Sequence, residues 1–393
     1  MRKSEAAGRF VPSLKAGGER LKAWPGLGAV AIQLFLFLAH WFLYRTWIDF
    51  SPGLSAGTRA WLLAATLVLG LSFVPAALLN YRVSNRAVAS LYAAGSVWLG
   101  FLNYLFWAAC LCWPAWLVLR LCGLTDGPDD PPHAIAALLF GAAVAVAIFG
   151  LINARIIRVR RLSISLPNLP AAWRGRRALL MTDLHLGSIN GARFAQRLAR
   201  LARRLNPEIV FLPGDLFDGT HIGLDRLLAP LKDISAPLGI YFSAGNHEEF
   251  GDPTPYIEAA AQAGFRVLDN ERVNIEGVDL IGLSFSDSTY PIRVRAFLQG
   301  LRLDPAQTSI LLNHSPTRLP IVEEAGVSLQ LSGHTHGGQF FPFTWITRRA
   351  FGRFTRGLHR FGALQVLTST GAGTWGPPMR VGTSSEIVLL TFE

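Results

Sequence analysis

Ala178-Leu179-Leu180-Met181-Thr182-Asp183-Leu184-His185-Leu186-Gly187 is the stretch that decides the fold. Four apolar residues, enough for a buried strand, run straight into an Asp-x-His triplet. The arrangement recurs downstream. Ile209-Val210-Phe211-Leu212 precedes Gly214-Asp215-Leu216-Phe217-Asp218, and Gly239-Ile240-Tyr241-Phe242 precedes Gly245-Asn246-His247-Glu248. A run at 308–313 leads into Asn313-His314-Ser315-Pro316, and one at 327–331 into Ser332-Gly333-His334-Thr335-His336-Gly337-Gly338-Gln339. Residues 191–205, with arginines on one face, read as a helix between the first two strands. Further strands are expected near 265–268, 278–284, 363–369 and 385–392. Alternating strands and helices, followed by closely spaced strands, specify α/β layers with mixed sheets.

Five polar loops at five strand ends thus hold Asp183, Asp215, Asn246 and five of the nine histidines. Strand ends are where open α/β sheets place their sites. Imidazole mixed with carboxylate suits manganese, iron or zinc, whereas a magnesium site would be mostly oxygen. In Asp-x-His and His-x-His, an extended backbone would turn alternate side chains to one side. The glycine before each of Asp215, Asn246 and His334 allows a tight turn toward a shared ion. One carboxylate can bridge two cations about 3.5–4 Å apart. Singly, each block has an ordinary reading as a cap, a turn or a surface coincidence. Chance does not supply all five in this order.

These blocks resemble those of the calcineurin-like metallophosphoesterase superfamily, over roughly residues 176–393. Gly-His-Thr-His-Gly-Gly-Gln, the basic stretch after it, Gly371-Ala372-Gly373 and Ser385-Glu386-Ile387 are similar to its membrane-associated bacterial branch, typified by YkuE and YaeI. The resemblance implies a four-layer α/β/β/α sandwich with a dinuclear site that hydrolyses phosphoric esters. By position, it implies that Asp183, His185, Asp215 and His336 hold one divalent ion. Asp215 would bridge, and Asn246, His314 and His334 would complete the second site. His247 would bind no metal but contact the phosphate and protonate the leaving oxygen. Asp218 would orient a neighbour. Glu248 and Glu249 read as solvated loop charges rather than groups that tune His247.

The first half reads differently. The chain is 51% hydrophobic and only 16% charged, against about 25% charged in soluble proteins. Four apolar segments, roughly 27–48, 60–80, 90–120 and 134–153, have the length of helices crossing hydrocarbon about 30 Å thick. The third is overlong and is expected to tilt or to begin along the interface. Trp24, Trp41, Tyr44 and Trp47 bracket the first as interfacial anchors. A cleaved signal peptide fits poorly, because the apolar run starts late and three more follow. The chain then divides into a basic tail (1–26), a membrane domain (27–155), a linker (156–175) and the metal-binding domain (176–393).

A net charge of +11 raises nucleic acid as a partner, but its distribution argues against that, and no nucleic acid is expected. Residues 1–161 carry 15 Lys/Arg against 6 Asp/Glu, and 162–393 carry 22 against 20. The excess flanks the spans, which is a topology signal. The tail (Arg2, Lys3, Arg9, Lys15, Arg20, Lys22), the loop with Arg82 and Arg86, and the exit at Arg155, Arg158, Arg160 and Arg161 are assigned to the cytoplasm. The loop with Asp126, Asp129 and Asp130 takes the other side, and an even number of spans returns the C-terminal domain to the cytoplasm. Cys110, Cys112 and Cys122 have no companions at zinc-site spacing and read as membrane-helix packing. His40 reads as a packing or interfacial residue, and no chain of ionisable groups supports a transporter.

Substrate is where the sequence says least. Residues 340–361 interleave Phe340, Phe341, Phe343, Trp345, Phe351 and Phe354 with Arg348, Arg349, Arg353, Arg356 and Arg360. Such a stretch can lie on an anionic membrane, grip a head group or pyrophosphate, or pack as a loop on the domain. The leading expectation is a phosphodiesterase or pyrophosphatase acting on a lipid-linked substrate, with the bilayer as partner. The alternatives are a broad phosphoesterase anchored for location alone, and a non-hydrolytic sensor of phosphorylated ligands.

Overall fold

The computed structural model describes residues 24–83, 85–124, 132–220 and 223–393. The basic tail up to residue 23 and the acidic loop 125–131, both used in the topology reading, lie outside them. Five helices build the first half: α1 (Trp24–Asp49), α2 (Ala56–Gly70), α3 (Phe73–Arg82), α4 (Arg86–Leu121) and α5 (His133–Ala154). α2 and α3 together form one apolar segment, so four segments are long and apolar enough to cross a bilayer. The break at Leu71–Ser72 follows from Pro75, which has no N–H for the Leu71 carbonyl and whose ring crowds it.

The bundle packs through small residues. Ala109 and Cys112 of α4 are buried with Ala136 and Ala143 of α5, the close approach that membrane helices use. Large apolar side chains face outward, with Trp61 79% and Leu138 73% exposed. His40 is buried and fully paired. Its Nδ1 donates to the Leu36 carbonyl at 2.7 Å, and its Nε2 accepts from the Trp98 indole at 2.8 Å. It is a packing residue.

The second half begins with β1 (Ile157–Ile164), β2 (Arg177–Leu180), α6 (Ala192–Leu205), β3 (Ile209–Pro213) and α7 (Leu224–Leu228). β4 (Ile240–Ser243), α8 (Thr254–Gln262), β5 (Arg266–Val267), β6 (Glu271–Ile275), β7 (Val278–Leu283) and α9 (Phe285–Ser288) follow. Then come α10 (Pro291–Leu301), β8 (Ser309–Asn313), α11 (Leu319–Glu324) and β9 (Leu329–Ser332). α12 (Phe343–Phe351), β10 (Gly357–Phe361), β11 (Leu364–Thr368) and β12 (Ser385–Phe392) complete it.

The strands form two six-stranded sheets, ordered β1-β12-β2-β3-β4-β5 and β10-β11-β9-β8-β7-β6. One apolar core joins the sheets face to face, with Leu180, Phe211 and Leu390 against Leu280, Leu312 and Leu331. A second lies between the first sheet and α6–α8, and a third between the other sheet and α10–α11. This is the expected four-layer sandwich. α6 shows how a layer is written locally: Ala195, Leu198, Ala199, Ala202 and Leu205 are buried at helical spacing, and its arginines face out.

One boundary needs correction. Residues 156–175, read as a linker, contain β1, which pairs in parallel with β12 from Ile157↔Ser385 to Ile164↔Phe392. Arg158, Arg160 and Arg161 belong to this strand, where they masked its alternation, and its partner lies more than 200 residues away. β6 and β10 are further strands that the sequence reading did not anticipate.

The bundle docks directly on the sandwich. The Arg380 N–H donates to the Gly150 carbonyl at 3.0 Å. Asn153 Nδ2 donates to the carbonyls of Arg380 and Thr383, both at 2.9 Å. Asn103 donates to the Phe341 carbonyl, and Trp107 packs on the Phe341 ring at 5.1 Å. A Cβ at Gly100 would come within 2.5 Å of the Met379 sulfur, so glycine is what admits that side chain.

Candidate metal centre

The loops after β2, β3, β4, β8 and β9 meet at one edge of the sandwich, and all eight expected site residues come together there. Asp183, His185 and His336 offer ligand atoms within 4.8 Å of one another, and so do Asp183, Asp215 and His314. His314 Nε2 lies 3.1 Å from Asp215 Oδ2. His334 Nδ1 is 2.9 Å from Asn246 Oδ1, and the His334 main-chain N–H donates to Asp183 Oδ1 at 2.9 Å. The His247 main-chain N–H donates to Asp215 Oδ1 at 3.0 Å. His185, Asp215 and His247 form a third group within the same 4.8 Å limit, so distance alone does not separate His247 from the expected ligands.

The backbone reaches this arrangement by a route the sequence did not reveal. Asp183, His185, Asp215, His334 and His336 all have positive φ, from 45° to 68°. The Asp-x-His and His-x-His pairs are therefore curled, not extended as expected from alternation. Left-handed geometry costs a non-glycine residue about 1–2 kcal/mol, and such strain collects at functional sites. The glycines serve close approach more than turning. A Cβ at Gly333 would meet Asp183 Oδ2 at 2.1 Å, and one at Gly245 would meet Asp215 Oδ1 at 2.3 Å.

The donor set fits metal ions. His185 Nδ1 and His314 Nε2 are buried with no hydrogen-bond partner, an expensive state for lone protein groups. His185 Nε2 and His336 Nε2 face each other at 3.0 Å. Burial holds His185 and His336 well below the usual imidazole range, and with His314 nearby it takes His334 down to about 4. These rings are neutral, the form that coordinates a cation. Burial also depresses His314, but Asp215 overcomes it and lifts the ring to about 10. Burial pushes Asp183 up to about 7, with Asp215 adding to the effect. Protons thus sit where a cation's charge would be welcome.

Three supporting residues escaped the sequence reading. Glu248, expected to be solvated, is wholly buried and accepts main-chain hydrogen bonds from Asp215 (3.0 Å), Phe217 (2.9 Å) and Gly245 (2.7 Å). It ties the Asp215 loop to the Asn246 loop. Glu249 likewise accepts from the main chain of Phe285 and Ser286. Arg380 is fully buried and donates to the carbonyls of His336 (3.1 Å), Thr370 (2.6 Å) and Gly373 (2.7 Å). Glu248 carried a signal, its place beside Asn246-His247; Arg380 carried none. Asp218 behaves as expected. Its carboxylate holds the Ser188 N–H at 3.0 Å, and its main-chain carbonyl accepts from His247 Nδ1 at 3.1 Å.

Comparison with known proteins agrees with this geometry. The sequence profile of the calcineurin-like phosphoesterase family matches residues 176–338. An uncharacterized metallophosphoesterase of Aquifex aeolicus is 31% identical over 259 residues, covering 64% of this chain and 97% of that protein. A transmembrane protein with metallophosphoesterase domain from Danio rerio is 32% identical, covering 66% of this chain and 62% of the relative. YkuE of Bacillus subtilis, itself an uncharacterized metallophosphoesterase, is 25% identical over 57% of this chain and 82% of its own length. With five loops of Asp, Asn and His meeting on a two-sheet sandwich behind four membrane-length apolar segments, this chain belongs to the calcineurin-like metallophosphoesterase family of phosphoric ester hydrolases.

Proposed function

We propose that this protein is a membrane-embedded hydrolase of phosphodiester or pyrophosphate bonds in a lipid or lipid-linked substrate. In this reading Asp183, His185 and His336 hold one ion, Asn246, His314 and His334 hold the other, and Asp215 is shared. Two divalent ions of the manganese, iron or zinc kind, when bound, bring positive charge to the phosphate oxygens and acidify water. His247 provides the proton. Its Nδ1–H is spent on the Asp218 carbonyl, which can only accept, so Nε2 is the atom that faces the leaving oxygen. As the water oxygen bonds to phosphorus and gives up a proton to solvent, the ester P–O bond breaks and the His247 proton passes to the departing alcohol or phosphate, after which His247 takes up a proton from solvent.

The observation that carries the lipid assignment is a set of exposed apolar side chains, two on the His247 ring and others on α12, which starts where Phe341 meets the bundle. Phe250 and Trp375 flank the His247 ring at 4.6 and 5.8 Å, yet are 59% and 58% exposed. α12 adds exposed Phe343, Trp345 and Ile346, followed by exposed Arg348 and Arg349. Exposed apolar patches of this kind mark binding surfaces, and rings followed by guanidinium groups suit the boundary of an anionic bilayer. A cytoplasmic placement of the domain is supported by the helix ends nearest it, which carry Arg82, Arg86 and Arg155.

The test uses the full chain in lipid nanodiscs, loaded in turn with manganese, iron or zinc. Lipid diesters and lipid pyrophosphates in the disc are compared with bis-p-nitrophenyl phosphate and soluble nucleotides. A higher kcat/KM for a lipid substrate is expected. Turnover of soluble esters with every lipid left intact would leave an anchored broad phosphoesterase. A reporter fused after Glu393 that works only outside the cytoplasm would overturn the orientation.

A further inference from the structure

Two asparagines in the membrane helices are buried and bond to residues outside the bundle. Asn80, near the end of α3, is 4% exposed, and Asn153, in the last turn of α5, is 6% exposed. An amide in a membrane helix ordinarily bonds a neighbouring helix. Among the described residues, neither side chain does so; both reach the hydrolase domain. Each meets a group that supports the site.

From Asn153 the path runs to a ligand. Its Nδ2 donates to the Arg380 and Thr383 carbonyls, while its Oδ1 accepts from Arg158 at 2.9 Å. The Arg380 main-chain N–H returns to Gly150 of the same helix at 3.0 Å. Arg380 is thereby held at both backbone groups by α5. Its guanidinium then holds the His336 carbonyl and the loop at 370–373. That loop closes on Asp183, because Gly373 N–H donates to the Asp183 carbonyl at 2.8 Å. From Asn80 the path runs to the acid. Ser188 Oγ donates to Asn80 Oδ1 at 2.8 Å, and Ser188 N–H donates to Asp218 Oδ2 at 3.0 Å. The Asp218 carbonyl fixes His247.

We propose that Asn80 and Asn153 are positioning residues of the active site, which makes the membrane bundle a structural part of the metal centre and not only its anchor. Asn153 acts through Arg380 on His336 and Asp183; Asn80 acts through Ser188 and Asp218 on His247. The inference rests on the reading of His336 and Asp183 as ligands and His247 as the acid. It separates the two paths by what each controls: metal retention on one, proton delivery on the other.

The experiment compares the full chain with Asn153→Leu and Asn80→Leu in nanodiscs, reading manganese affinity by calorimetry and kcat on aryl esters of graded leaving-group pKa. Asn153→Leu is expected to weaken metal binding by about 10–100-fold, the usual loss when a group supporting a ligand is removed. Its kcat at saturating metal should stay near the parent's. Asn80→Leu is expected to leave metal affinity unchanged and to slow esters with poor leaving groups far more than p-nitrophenyl esters. Asn153→Ser, Asn80→Ser and Ser188→Ala serve where a leucine variant does not fold, and the last two changes should be non-additive when combined. Folded variants with the parent's metal affinity and leaving-group dependence would sink the coupling while leaving the site intact. A parent chain that takes up no metal would remove the reading of the site, and this inference with it.

Discussion

Histidine is treated in opposite ways by the two halves of this molecule. In the bundle, His40 has both ring nitrogens paired, one with the Leu36 carbonyl and one with the Trp98 indole. In the sandwich, His185 and His314 are just as buried, yet His185 Nδ1 has no hydrogen-bond partner and His314 Nε2 has only the Asp215 carboxylate, 3.1 Å away, beside it. Burial therefore does not distinguish a packing histidine from a functional one. The distinction is whether the protein completes the hydrogen-bonding of the ring within a packed helix pair or sets it among carboxylates and other imidazoles. Individual glycines can be compared in the same way. Gly141 of α5 has nothing within 4 Å of where a Cβ would lie, whereas Gly333 and Gly245 lie against the Asp183 and Asp215 carboxylates.

The largest test of this contrast is His247→Ala. It should lower kcat by about 10²–10⁴, the range for losing a general acid, while each chain still binds two metal ions by elemental analysis. A drop to one ion would instead make His247 a ligand, as its closeness to His185 and Asp215 permits. Next is the glycine pair. Gly333→Ala should weaken metal affinity by about 10–100-fold as the Asp183 carboxylate is displaced. Gly141→Ala should change thermal stability by no more than about 1 kcal/mol, in the stabilising direction if α5 gains helix propensity.

The third test is pH. A ring lifted to about 10 by Asp215 must lose its proton to bind a cation, so metal affinity should rise with pH. With Asp183 near 7, the slope should steepen below neutrality, where a second proton must leave. Calorimetry in buffers of different ionisation enthalpy counts the protons released; uptake without release would contradict this account. The smallest effect concerns α12. Trp345→Ser should raise KM for a lipid substrate in vesicles by a few-fold, with hydrolysis of a soluble ester unchanged, since one interfacial aromatic contributes only part of the membrane contact.

Much of this was legible from local sequence. The apolar lengths marked the spans, and strand runs ending in Asp, Asn and His marked the ligand loops, because residue type and periodicity are set over a few neighbours. The misreadings have a common cause. β1 looked like a basic linker because its partner strand stands at Ser385–Phe392. Glu248 looked like a solvated charge because its three N–H donors come from two loops. Nothing near Arg380 in sequence indicated that it would be fully buried.

The sequence by itself therefore determined the class of chemistry, the ligand residues to be tested and the division into a lipid half and an α/β half. Only the tertiary structure decided the left-handed turns that aim the ligands, the Arg380 brace and the seating of α3 and α5 against the site. Those features rest on contacts such as Asn153 to Thr383, 230 residues apart. Hydrogen bonds across that distance leave no periodic trace in either segment, because neither partner's neighbours need to resemble the other's.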